Sequence, residues 1–120
     1  MKTSELTGAA LDWAVAVCEG FTDYDPDTET MMPPRKEYGR VNFDEYSYST
    51  DWAQGGPIIE RENICLWSEG YDWEAKVQTG VGEWLTEWDT SPLVAAMRCY
   101  VTSKLGDEVA IPNELTGVNK

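Results

Sequence analysis

Three aspartates at alternating positions, Asp23, Asp25 and Asp27, have the D-x-D-x-D spacing with which carboxylates converge on a calcium ion. An EF-hand loop also needs glycine at its sixth position, for the sharp turn, and a bidentate glutamate at its twelfth. Those positions hold Thr28 and Pro34, so the run reads as a solvated acidic loop and no metal site is expected. A second set interleaves Trp67, Tyr71, Trp73, Trp84 and Trp88 with Glu69, Asp72, Glu74, Glu83 and Glu87. Aromatic platforms beside paired carboxylates suit sugar binding and glycoside hydrolysis. Tryptophans alternating along a small sheet more commonly form its buried face, with the carboxylates on the wet one. The buried face is the expectation here, and sugar binding the alternative.

The third set is Ser49-Thr50-Asp51-Trp52-Ala53-Gln54-Gly55-Gly56-Pro57. Two glycines and a proline cost a helix interior about 1 kcal/mol per Gly and about 3 for Pro, so a sequence seeking only helix stability would avoid them. Such local inconsistency marks tight packing, strain or function. The stretch offers hydroxyls, an amide side chain and the unpaired amides of a helix start. Ser49, Thr50, Asp51, Trp52, Gln54, Gly55 and Gly56 are therefore the candidate binding residues. The rival reading is capping plus a close helix approach at the glycines. No Gly-Lys-Ser/Thr follows, so this is not a phosphate loop.

The chain has no histidine, which removes the Ser-His-Asp triad, the Cys-His pair and histidine acid–base relays. Its three cysteines, Cys18, Cys65 and Cys99, form no C-x-x-C pair, and reduced thiols are expected. No catalytic residues and no cofactor are assigned. With 22 acidic against 9 basic residues the net charge is −13, which repels nucleic-acid phosphate and anionic lipid and suits a basic partner surface. Between Asn42 and Thr90, 11 acidic residues face only Arg61 and Lys76, a net of −9, so mimicry of nucleic acid is a second possibility. A small-ligand binder, for a signalling molecule or a sugar, is a third, with Arg35, Lys36 and Arg40 as its basic cluster.

These groups must be positioned by a 120-residue chain, the size of one domain, with 42% apolar residues to fill a core. Leu11, Ala14, Val15 and Cys18 keep helical spacing after Thr7, a plausible N-cap, and before Gly20, which predicts a helix over 8–19. Residues 20–47 carry the acidic run and Pro26, Pro33 and Pro34, and read as a long surface excursion with a short strand around Val41–Phe43. Ser49 or Thr50 caps a helix over about 50–62, kinked at Pro57 or starting there. Ile64–Trp67, Trp73–Gln78 and Trp84–Trp88 read as strands. Ser91, Pro92 and the spacing of Leu93, Ala96, Met97, Tyr100 and Val101 predict a last helix ending at Gly106. Residues 113–120 are expected to fray. The sum is a single α+β domain: an antiparallel sheet of two or three strands packed with about three helices, sandwich-like. No apolar run is long enough to span a membrane, and Lys2 followed by Glu5 and Asp12 does not fit a signal peptide.

Three segments together resemble a known family: Leu6–Ala16, Tyr48–Ile59, and Pro92–Tyr100 running into Lys104–Val109. The chain is similar to the NinX-like proteins of lambdoid phages and prophages, small accessory proteins of unknown function. The Tyr-Ser-Thr-Asp helix start also resembles that of small phage proteins described as α-β-α sandwiches. The resemblance by itself says almost nothing of mechanism; together with the missing catalytic constellations and the charge of −13 it predicts a non-enzymatic phage accessory protein in the host cytoplasm that binds a host or phage macromolecule, with a protein as the expected partner. It transfers no catalytic residue.

Overall fold

The computed structural model describes residues 1–116. Its first long element is α1, Gly8–Cys18, ended as expected by a glycine in the left-handed region, Gly20 at φ 101°. Thr7 occupies the N-cap position, but its hydroxyl makes no capping bond. The apolar stripe of α1 buries Leu11, Ala14 and Val15 completely.

Residues 20–47 are more than a surface excursion. They fold into a small antiparallel sheet of β1 (Thr22–Asp25), β2 (Thr30–Met32) and β3 (Val41–Asn42). Phe21, Met31 and Phe43 reach into the core from it. The pattern of acids and prolines hid this because each strand is two to four residues long and contributes one apolar anchor. The strand foreseen near Val41 is present, and Phe43–Glu45 continues as a 3-10 turn. The aspartates of the acidic run serve the turn: the Asp25 carboxylate accepts the Asp27 N–H at 2.9 Å.

Helix α2 runs without interruption over Trp52–Glu62, with Pro57 inside it. Its N-cap is neither Ser49 nor Thr50 but Asp51, whose carboxylate accepts the Ala53 N–H at 2.9 Å. Asn63, left-handed at φ 57°, ends it. A meander follows: β4 (Cys65–Glu69), β5 (Asp72–Gly80) and β6 (Glu83–Asp89), antiparallel in that order. Helix α3, Pro92–Leu105, is capped by the Ser91 hydroxyl, which accepts the Val94 N–H at 3.2 Å. A further turn, α4, spans Asn113–Thr116, where fraying was expected; the remainder of that expected tail lies outside the described residues.

The architecture is α+β, with α3 at its centre. One side of α3 lies on β5 and β6, and its other sides take α1 and α2. That placement explains why Leu93, Ala95, Ala96, Met97, Cys99, Tyr100 and Val101 are all buried, nearly the whole circumference of the helix. The N-terminal segment closes beside α3. Lys2 pairs with Glu108 in an isolated antiparallel bridge, flanked by Thr3 N–H to Asp107 O at 2.8 Å and Val109 N–H to Met1 O at 2.9 Å.

Candidate binding face

Strand alternation sends Ala75 and Val77 of β5 inward, where both are buried against α3. The hairpin register then fixes the phase of the neighbours. Val77 stands opposite Leu85, so Leu85 faces inward too, and Gln78 stands opposite Trp84. Trp67 of β4 and Trp88 of β6 both stand opposite Glu74, on the outer face. The expectation that the tryptophans form the core face is therefore corrected. Trp67, Trp84 and Trp88 are 64%, 53% and 52% exposed, while only Trp73 turns partly inward. The core side of the sheet is closed against α3 by Leu66, Ala75, Val77 and Leu85.

This outcome was recoverable from the chain. Asp72 follows Glu69 across a two-residue turn at Gly70-Tyr71, and that turn dictates the pairs Trp67–Glu74 and Cys65–Lys76. Once Ala75 and Val77 are assigned to the core, both edge-strand tryptophans must follow Glu74 outward. Their size argued the other way and misled the reading.

Three cross-strand rows make up the outer face. Trp67, Glu74 and Trp88 form the first, Cys65, Lys76 and Thr86 the second, and Gln78 with Trp84 the third. Lys76 Nζ lies 3.6 Å from a Glu74 carboxylate oxygen, a loose ion pair. Cys65, Trp67, Glu74 and Lys76 border an open hollow of about 380 Å³. Acids on the two faces of the sheet differ in their surroundings. Glu87 points towards α3, where burial raises its carboxyl above the ordinary range against the Thr102 hydroxyl, which donates to it at 3.4 Å.

The stretch 49–56 is placed differently from the sheet face. Ser49 is buried, and its N–H donates to the Asp12 carboxylate at 2.8 Å. Burial raises the Asp12 carboxyl, opposed by that bond. Gln54 is spent on the preceding loop: its Oε1 accepts the Ser47 N–H at 2.8 Å and its amide donates to Glu45 O and to Asp51, both at 3.2 Å. Gly55 is the point of close approach, since a Cβ there would lie 2.5 Å from Tyr48 O and 2.7 Å from Leu93. Gly56 faces open space. Thr50 and Trp52 are exposed, Trp52 at 51%. The structure thus gathers Ser49, Asp51, Gln54 and Gly55 into the fold's own contacts and leaves Thr50, Trp52 and Gly56 on the surface.

Arg98 is a residue that sequence reasoning passed over. It is buried in α3, where its Nε donates to Leu6 O at 2.8 Å and Nη1 to Trp88 O and Asp89 at 2.9 and 3.1 Å. It ties the end of β6, and with it Trp88, to the helix beneath. Its helical position among Ala96, Met97 and Tyr100 was the available signal. Two members of the basic cluster of the acidic segment, Arg35 and Arg40, are likewise engaged. Arg35 pairs with Glu37 at 2.8 Å, and Arg40 donates to Thr30 and to Asp23 O within the small sheet.

Of the three free cysteines, Cys65 is exposed, Cys18 half-buried and Cys99 buried. Burial pushes the Cys18 and Cys99 thiols up to about 12, far from a nucleophile's range. Among the described residues no three His, Cys, Asp or Glu side chains come together in a way that could hold a metal ion. No described helix is long and apolar enough to cross a membrane.

No curated protein matches the chain. The family profile described as Bacteriophage P22, NinX matches residues 2–104, most of its length, and the chain therefore belongs to that phage protein family.

Proposed function

We propose that this protein is a non-enzymatic phage accessory protein that works in the host cytoplasm by binding a host or phage protein through the outer face of β4–β5–β6. The observation that carries this reading is the exposure of Trp67, Trp84 and Trp88 on one face of one sheet. Each indole exposes apolar area at a cost of roughly 25 cal/mol per Å² relative to burial. Exposed apolar patches of this kind mark interaction sites, and tryptophan is among the residues enriched in interface hot spots. A rigid sheet held from below by Arg98 and α3 also presents them with little ordering cost on binding.

Mimicry of nucleic acid is less favoured, because its carboxylates would have to share one face. Glu74 lies on the outer face, Glu87 on the inner one, and Glu62 at the end of α2 is paired with Arg61 and Lys104. The decisive comparison is capture from phage-infected host lysate by the wild type and by Trp67→Ala/Trp88→Ala. A partner held by the wild type should be lost by the double variant at unchanged melting temperature. Equal retention of the same partner by both proteins would sink the reading.

A further inference from the structure

We propose that the Trp67–Glu74–Trp88 row is a receptor for an arginine side chain presented by a basic partner protein; this rests on the binding reading above and names its partner's chemistry. The three residues are directly opposite one another across three strands. Strand spacing of 4.7–4.9 Å puts the backbone of the two tryptophans about 10 Å apart, with Glu74 between them. Two indoles flanking a carboxylate is an arrangement matched to guanidinium. That group is planar, stacks its faces on aromatic rings and offers paired N–H donors to a carboxylate. A lysine ammonium can use the charge but neither the stacking nor the bidentate edge.

The Glu74 side chain keeps 18% of its surface exposed on this face. Its ion partner among the described residues is Lys76, and at 3.6 Å the contact is longer than a hydrogen bond. A guanidinium desolvated between two rings and bonded to both carboxylate oxygens displaces that loose ammonium, and Lys76 then returns to water on its own row. In the empty state Lys76 keeps the carboxylate partly neutralised. The net charge of −13 supplies long-range attraction for a basic surface and none for a neutral glycan. It opposes a second copy of this chain, which carries the same charge, and any phosphate-bearing ligand.

The test follows the six tryptophan indole N–H signals by NMR at 150 mM salt. The probes are a (Gly-Arg)4 peptide, a (Gly-Lys)4 peptide and chitohexaose. Arginine peptide should shift the Trp67 and Trp88 signals and bind at least fivefold more tightly than lysine peptide. Glu74→Gln should weaken it at least fivefold. Asp27→Asn, which makes the same charge change in the β1–β2 turn, should weaken it less than twofold. Equal binding of the two peptides, or equal losses in the two variants, would show general attraction to an acidic protein and overturn the proposal. So would the absence of arginine-peptide binding, shifts of these signals with chitohexaose instead, or shifts on raising protein concentration alone. Capture by the wild type and by Glu74→Gln but not by Trp67→Ala/Trp88→Ala would leave the binding face standing and remove only the arginine.

Discussion

At the scale of single residues, Asp12 shows how this protein tolerates its own acidity. Its carboxyl is raised above its ordinary range by burial, against the opposing bond from the Ser49 N–H. Glu87 is raised in the same direction by burial beneath β6. A carboxyl whose folded pKa exceeds its unfolded one binds more protons in the folded state. Stability therefore falls as pH rises between the two values and is recovered on acidification. Glu62, lowered by its bond to Arg61, works the other way, but only below the ordinary carboxyl range. Melting temperature should thus rise as pH is brought from 7 down towards the ordinary carboxyl range. Asp12→Asn, which keeps an acceptor for Ser49, should flatten that slope. Thermal melts at several pH values check it, and a melting temperature that climbs with pH across this interval would contradict the assignment.

At the scale of elements, α2 carries the clearest contrast. Gly55 and Gly56 are adjacent, yet one touches Tyr48 O and Leu93 while the other meets nothing. Gly55→Ala forces a Cβ against a backbone carbonyl and should destabilise by about 1–3 kcal/mol, the range for overpacking. Gly56→Ala removes helix-interior glycine at no steric cost and should stabilise by about 0.5–1 kcal/mol. Urea unfolding of the two variants measures both, and shifts of the same sign would refute this packing of α2. The sequence made the helices α1 and α3 legible, because Thr7, Gly20, Ser91, Pro92 and Gly106 punctuate strict apolar spacing. It also offered a close helix approach at 55–56 as the rival to a binding site, though not which glycine, since helical rotation by one residue separates a packed position from an open one. The first sheet stayed hidden because its strands are too short to display alternation. The outer face of the second sheet was misread for the opposite reason: alternation was clear in β6, but which phase faces α3 is decided by the turn and by the partner helix, not by the strand.

At the scale of the whole molecule, a central helix shields one side of a meander and leaves the other bare, with exposed tryptophans on a chain that carries 13 surplus negative charges. The seam between the chain's two ends has a different kind of consequence. Lys2 and Glu108 form a non-hydrogen-bonded antiparallel pair, for which Cα atoms lie about 4.5 Å apart, within disulfide range. Lys2→Cys/Glu108→Cys in a Cys65→Ser background should oxidise spontaneously and tie nearly the entire polypeptide into a covalent circle. A ring of that size restricts the denatured ensemble by about 4.7 kcal/mol in the chain-entropy account, among the largest gains one crosslink can give. The denaturation midpoint should then move upward when the circle is closed and return when it is reduced. If oxidised and reduced forms unfold together, the seam does not hold. If the midpoint moves, this small protein is best pictured as a purse whose drawstring already lies in place and lacks only the knot.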